Sequence, residues 1–418
     1  MTGDKTLLLL IPTTSYQTRN FMRAATKLSA NVVVGTDAAN ILKSPDDHLL
    51  QIDLMNVAAS VSIIKEAARS RPFHAIIGVD DLTTLIAATA SQELGLSHNP
   101  VEAVNTCNNK YDFRRKLEVG NLWSKSFYRI DRDKDLAWQG RKLPYPMVLK
   151  PLSLSGSRGV IRVNNDNEYG VAIDRICKIL DRKDIPVAAD LRRFILAEEY
   201  IPGEEIAVEA VIADDTLKIL AIFDKPDPLE GPYFEETIYV TPSHHSPAMI
   251  QALQEVLTDI ARVLGIRQGP IHAEFRINET GIYVIEISPR SIGGLCGRLL
   301  ETGLGMNIEE LIVRLSLDEK QPDLPVVDTA QAVMMIPIPA AGTFLGLNGV
   351  RDAKEVEFVT DVVISIPVGQ EIVPLPEGNQ YLGFIFAEGS DLTTVETAVR
   401  SAHQKLRFDI GEKRDTAP

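Results

Sequence analysis

Glu274 and Glu286 are the residues whose spacing in this chain first asks for a chemical explanation. They lie in two apolar-alternating runs, 271–277 and 282–287, separated by Asn278-Glu279-Thr280-Gly281, a polar turn ending in glycine that predicts a hairpin. Strand side chains alternate, so His272, Glu274 and Arg276 share one face of the first run. In the second run Glu286 and Ser288 take the face opposite Tyr283, Ile285 and Ile287. A loop over 279–281 pairs residue 278 with 282 and sets Glu274 directly across from Glu286. Facing carboxylates repel and weaken a sheet. The pair therefore makes sense with a cation between them, and magnesium held by carboxylates and phosphates is the usual hard-cation solution. The simpler alternative is two solvated acids on an exposed hairpin. Against it stands Ser288-Pro289-Arg290, which adds a neutral oxygen and a fixed cation at the same strand end.

A second set of groups suits phosphate. The segment 146–151 is a hydrophobic strand ending in Lys150-Pro151, followed by Leu152-Ser153-Leu154-Ser155-Gly156-Ser157-Arg158-Gly159-Val160. Such a loop of serine and glycine exposes amides and hydroxyls that can fold over phosphate oxygens. The GxxxxGK[ST] spacing is absent and the loop leads into a strand, so this is not a Walker A loop. Lys110 opens a helix that begins near Asn108-Asn109 and buries Phe113 and Leu117; alone it reads as a surface lysine. Glu198-Glu199-Tyr200-Ile201-Pro202-Gly203 is an acidic, then apolar, kinked connector between strands 193–199 and 205–212. It offers a flat slot, an acceptor and a backbone donor to a purine, with Glu205 near enough for ribose hydroxyls; an edge turn with solvated acids is the alternative.

Bulk properties narrow the partners. The chain has 418 residues, 45% hydrophobic and 24% charged, enough for two or three domains with real cores. A formal charge of −14 argues against nucleic-acid or anionic-membrane partners, which need a basic face. Three cysteines without CxxC spacing suggest neither a disulfide framework nor a zinc site. The apolar run 7–11 is too short for a signal segment, so a cytoplasmic protein is expected.

The first 99 residues alternate strands (6–11, 31–34, 75–79) with helices (16–28, 57–70, 82–94), which predicts a parallel, helix-covered sheet. Its strand ends, 12–15 and Asp80-Asp81, fit helix caps and ligand contacts equally well. A helix over 246–264 carries a core-facing stripe. The polar run 318–322 marks a boundary, and beyond it short strands at 331–338, 356–359, 362–366 and 383–388 precede a helix over 392–406.

Taken in order, Lys110, the Lys150 strand with its SxSGSxGV loop, the EEYIPGEE connector, Glu274 and the EISPR strand resemble the ATP-grasp superfamily over about 99–317. The resemblance implies α/β and α+β architecture. A Rossmann-like parallel domain (1–99) would precede the ATP-grasp domain (100–320; small lobe 100–200, large lobe 201–320), and a C-terminal α+β appendage (321–418) would complete the substrate side. It also implies ATP with one or two Mg2+ ions, Mn2+ being an alternative. Lys110 and Lys150 would contact the α and β phosphates and Ser155, Gly156 and Ser157 would cover them. Glu198, Glu199 and Ile201 would meet adenine, Glu205 the ribose, Glu274 and Glu286 the metal, and Arg290 the reacting phosphoryl group. Ser288 departs from the family's usual asparagine beside a second metal.

Within the superfamily, Asp224-Lys225-Pro226, Gly231 to Thr237, Thr241-Pro242-Ser243 and Arg290 to Cys296 resemble the dipeptide-forming carboxylate–amine ligases. That likeness implies an acyl phosphate mechanism on small carboxylate and amine substrates such as amino acids, in a homodimer without nucleic acid or membrane. Lys225, Glu235, Gly293 and Gly294 would face substrate. His272 would be a substrate contact, a base or a structural histidine, and Arg298 a second carboxylate anchor or a structural ion pair. An ATP-binding sensor or accessory subunit, or a ligase with a thiol or bicarbonate acceptor, remains open.

Overall fold

The computed structural model describes residues 5–38, 48–319 and 329–412. Strand β1 (Thr6–Leu10) is buried along its whole length, a state that apolar strands reach when helices cover both faces of a parallel sheet. With β2 (Asn31–Thr36), β3 (Leu49–Gln51) and β4 (Ala75–Gly78) it forms a parallel sheet of order β3-β2-β1-β4. Helices Thr18–Lys27, Val57–Ser70 and Asp81–Leu94 fall where the alternation predicts them. Strand β3 was not predicted: three half-exposed residues carry no periodicity. Asp80 caps the helix after β4 in a capping box with Thr83, whereas Asp81 turns toward the catalytic region.

The next lobe is an antiparallel sheet of order β5-β8-β6-β7, made of β5 (Phe127–Asp131), β6 (Met147–Pro151), β7 (Ile161–Val163) and β8 (Phe194–Glu199). Helix Asp166–Asp181 buries Ile173, Ile176 and Ile179 against it.

The large sheet has eight strands. It begins with β9 (Glu204–Ala213), β10 (Thr216–Asp224), β11 (Ile238–Thr241), β12 (Gly269–Asn278) and β13 (Gly281–Ser288). The C-terminal segment supplies β14 (Ala330–Ile336), β15 (Gly342–Asn348), β16 (Val359–Ile364), β17 (Glu371–Ile372), β18 (Gly383–Gly389) and β19 (Arg407–Gly411). Only β17, β15 and β19 form a sheet of their own; β14, β18 and β16 extend the large one, in the order β13-β12-β9-β10-β11-β14-β18-β16. The segment expected as an appendage thus continues the large sheet through the β11–β14 pairing. Of the predicted strand 356–359 only Val359 is in a strand, the first residue of β16. Of the polar boundary run, residues 320–322 lie outside the described residues.

Helix Pro247–Leu264 packs Leu253, Leu257, Ile260 and Leu264 under the sheet; Ser246 caps it, Pro247 opens it and Gly265 ends it in the left-handed region. One apolar cluster joins Leu7 and Leu9 of β1 to Phe223, Met335 and Phe384 of the large sheet. The first domain is therefore anchored to the lobe that carries Glu274 and Glu286. Among the described residues no helix is long and apolar enough to cross a membrane.

Candidate active site

Glu274 does stand opposite Glu286, but not by the register the turn predicts. Asn278 pairs with Gly281, which leaves a two-residue loop, and residues 277 and 276 follow in that register as far as Phe275 with Val284. A bulge at Ile285 then shifts the pairing by one, restoring Glu274 with Glu286 and His272 with Ser288. It also changes the faces: Val284 and Ile287 are the core residues, while Tyr283 and Ile285 are only partly buried. The freed Ile285 carbonyl accepts from Arg114 Nη2 at 2.7 Å.

Arg114 is the core arginine of helix Lys110–Val119, which Asn109 caps. Its Nε donates to Glu198 Oε2 at 2.7 Å, and Lys150 pairs with the other oxygen of the same carboxylate. Burial would raise the Glu198 pKa, but the two cations outweigh it and hold the group at about 2. Glu198, expected at adenine, thus also positions Lys150 and lines the cavity beside it. Glu199 is likewise held, accepting from Lys125 Nζ at 3.0 Å and Ser126 N at 3.2 Å. Glu205, expected at ribose, receives Lys225 Nζ and Arg276 Nε, each at 2.8 Å, and Arg276 also binds the Ile201 carbonyl. Sequence reading placed these acids at the connector and missed Arg114 and Arg276 as their counter-ions, because pairing across 84 and 71 residues leaves no local signal.

Lys110, Lys150, Ser155 to Ser157, Glu274, Glu286 and Arg290 meet around one cavity of about 100 Å³ between the two lobes. Lys110 Nζ lies 3.3 Å from Glu286 and 2.8 Å from the Leu154 carbonyl. The loop above has Gly156 and Ser157 at φ +62° and +54°, and it docks on the C-terminal segment through Arg158 Nε to Glu377 O at 2.8 Å and Gly159 N to Pro376 O at 2.9 Å. Closed over so small a cavity, the loop is the candidate lid for a nucleotide. A larger cavity of about 580 Å³ lies between the first domain and the sheet and shares Arg290 with the first. Its lining has acids, Asp214, Asp215, Asp318 and Glu319, but no lysine, whereas the smaller one brings two lysines together with opposed glutamates.

Lys225 is buried on the large-lobe side of this cavity. Burial disfavours its charge, but Glu205, Glu236 and Glu274 around it push its pKa well above the lysine range. Glu236 touches Lys225, and one oxygen from each of Glu205, Glu236 and Glu274 lies within 4.8 Å of the others. One ammonium does not neutralise three acids, so burial drives Glu236 up to about 7, with Lys225 opposing and Glu274 adding to the rise. Glu236 is a site residue that sequence reading passed over in favour of its neighbour Glu235, a half-buried group whose pKa burial raises. His272 Nδ1 is 2.6 Å from Glu209, with Glu274 at 3.4 Å from Nε2. Burial would lower its pKa, but these acids raise it to about 9. The two carboxylates favour the protonated imidazole and hold the ring in place, the structural role among its alternatives. An excess of buried carboxylate with oxygen-only donors fits a hard divalent cation such as Mg2+ or Mn2+, and Glu274 and Glu286 are the residues that would hold it.

Arg290 is anchored from the first domain: Nε and Nη2 bind Asp81 at 2.7 and 2.8 Å. Ser288, expected beside a second metal, is buried at the end of β13 across from His272. Exchanging Asp81 for asparagine is expected to lower kcat by about tenfold or more with little change in KM for ATP, since the guanidinium stays but loses its bidentate anchor. Steady-state kinetics check this, and an unchanged kcat would remove Asp81 from the active site.

Arg298 pairs with Asp361 at 3.1 Å over the Phe386 ring, the structural alternative. Gly294 is at φ +62° and a Cβ there would come within 3.0 Å of Phe384, whereas one at Gly293 meets nothing within 4 Å. Gly294→Ala is therefore expected to cost about 1–2 kcal/mol in denaturant unfolding and Gly293→Ala well under 1. Equal losses would discount the backbone argument.

A parallel sheet docked on two antiparallel lobes, with lysines on one lobe and opposed glutamates on the other, defines an ATP-grasp architecture. Three family models match in order: the ATP-grasp N-terminal domain over 22–98, the ATP-grasp domain over 143–298 and the L-amino acid ligase C-terminal domain 2 over 334–411. The chain thus carries an ATP-grasp domain, preceded by an ATP-grasp N-terminal domain and followed by an L-amino acid ligase C-terminal domain. It is 23% identical to the uncharacterized protein y4rH of Sinorhizobium fredii over 98% of this chain and 84% of that one. To the L-arginine-specific L-amino acid ligase of Bacillus subtilis it is 21% identical, over 78% of each. The crystal structure of the L-amino acid ligase from Bacillus licheniformis superposes with a TM-score of 0.80 at 23% identity, covering 98% of this chain and 99% of that one. At that identity the superposition establishes the fold.

Proposed function

We propose that the protein is an ATP-dependent carboxylate–amine ligase that joins two amino acids, or an amino acid and a related amine, through an acyl phosphate. The observation that carries this reading is the direct opposition of Glu274 and Glu286 in the cavity where Lys110, Lys150 and Arg290 converge.

Lys110 and Lys150 bind the triphosphate, with Glu198 and Arg114 fixing the second lysine. Glu274 and Glu286 would hold a divalent ion, which would supply neutralising charge to the phosphates. A substrate carboxylate oxygen attacks the γ-phosphorus, the bond to the β-bridging oxygen breaks, and ADP leaves. Phosphoryl transfer asks the protein chiefly for position and neutralised charge, and Arg290, held by Asp81, meets the charge on the transferred group. The amine nitrogen then attacks the acyl carbon, phosphate departs with the electron pair of the C–O bond, and the nitrogen loses a proton to form the amide. The serine–glycine loop keeps water from the acyl phosphate.

The test is phosphate release from Mg–ATP screened over pairs of amino acids, with mass spectrometry of the product. Release that requires both a carboxylate and an amine, with an amide mass, is the expected result. Nucleotide binding without release under any pair would replace this reading with an ATP sensor, and release with bicarbonate or a thiol alone would reassign the acceptor.

A further inference from the structure

We propose that Glu204, His244 and His245 form a binding site for a first-row divalent cation of the zinc class, separate from the carboxylates of the nucleotide cavity. One ligand atom from each residue lies within 4.8 Å of the other two. Glu204 Oε2 is 3.4 Å from His244 Nε2 and 3.7 Å from His245 Nε2. Ligands bound at about 2.0–2.1 Å around a tetrahedral ion stand about 3.3 Å apart, so these separations need only a small contraction.

The imidazoles are already aimed. His244 Nδ1 lies 2.7 Å from Asp224 Oδ2, and the buried Asp224 carboxylate also accepts from His244 N at 2.8 Å and Ser243 Oγ at 2.6 Å. A carboxylate only accepts, so Nδ1 carries a proton toward Asp224, and Nε2 is the ring nitrogen turned toward Glu204, free to bind a metal once it gives up any proton of its own. This carboxylate–imidazole relay is what orients histidine ligands at metal centres. His245 Nε2 is buried and has no hydrogen-bond partner. An orphaned buried nitrogen is costly, and coordination would satisfy it.

The loop is held by Ser246, which caps helix Pro247–Leu264. The Glu204 and His244 side chains are 62% and 53% exposed, leaving an entry path and a fourth position for water. Two nitrogens and one carboxylate select zinc-like ions over magnesium. The site backs onto the nucleotide cavity, because the neighbouring residues Glu205 and Lys225 point inward to pair with each other.

The experiment uses the full chain without a histidine tag, in excess Mg2+, and titrates Zn2+ by calorimetry and against a chromophoric chelator. One Zn2+ per chain at micromolar Kd or tighter is expected. Glu204→Gln should weaken it at least about tenfold, His244→Ala/His245→Ala should remove it, and Asp224→Asn should weaken it about 10–100-fold. Glu286→Gln should leave it unchanged. Binding no tighter than about 100 μM, or the same binding in the double histidine variant, overturns the proposal and leaves the cluster as an ion pair. Glu204 is at the surface, so Glu204→Gln serves as the test if a histidine variant melts early.

Discussion

Glu286→Gln is expected to lower substrate-dependent phosphate release by about 10²–10³-fold or more with the fold intact. The change keeps the shape and removes the charge of a residue whose close ionic partner is Lys110 at 3.3 Å, and whose side chain is 28% exposed in the cavity. Removing one preorganised electrostatic contact in an active site typically costs that factor, and stability should move by no more than about 0.5 kcal/mol. Glu274→Gln is a poorer probe, because Glu274 also faces Lys225 and His272, and burial of its carboxylate is outweighed by those cations. A coupled phosphate assay beside a denaturant melt separates catalysis from folding. A Glu286→Gln enzyme with normal turnover would end the metal-site assignment.

Glu198→Gln should instead unfold the protein more easily, by about 3–5 kcal/mol, because Arg114 and Lys150 would be left buried without their shared counter-charge. The sign of the pH effect follows. The folded pKa is held near 2, below the ordinary carboxylate value, so this stabilisation is complete above about pH 4.5 and is lost as pH falls toward 2. Across that window the wild type should lose stability more steeply than Glu198→Gln, by up to one proton in the linkage slope. Equal stability at pH 7 and parallel acid limbs would show that the buried pair contributes nothing. The same variant should raise KM for ATP, since Lys150 would lose its anchor.

Much of this site is legible in sequence because it is built from short local units. A strand ending in Lys150 before a serine–glycine loop, and an asparagine-capped helix opening on Lys110, are each complete within a dozen residues. The hairpin around 279–280 is equally local, and the facing of Glu274 and Glu286 follows from it even though the turn is one residue shorter than predicted. A bulge at Ile285 makes up the difference, and a single inserted residue in an apolar run is invisible to alternation. Alternation puts His272 on the face of Glu274, as in the strand, but its ion pair is with Glu209, in a strand that meets it only in the folded sheet.

Composition and periodicity therefore determined the succession of a parallel unit and antiparallel lobes and which lysines, serines and glutamates stand at strand ends and loops as candidates, since those depend on residues close in the chain. Tertiary structure alone decided the counter-ions: Glu198 for Lys150, Asp81 for Arg290, three acids for Lys225, and Asp361 for Arg298. It also decided that the C-terminal strands continue the large sheet. Charges find partners by proximity in three dimensions, and a strand's neighbour is chosen by the edge left unpaired; neither is written in spacing along the chain.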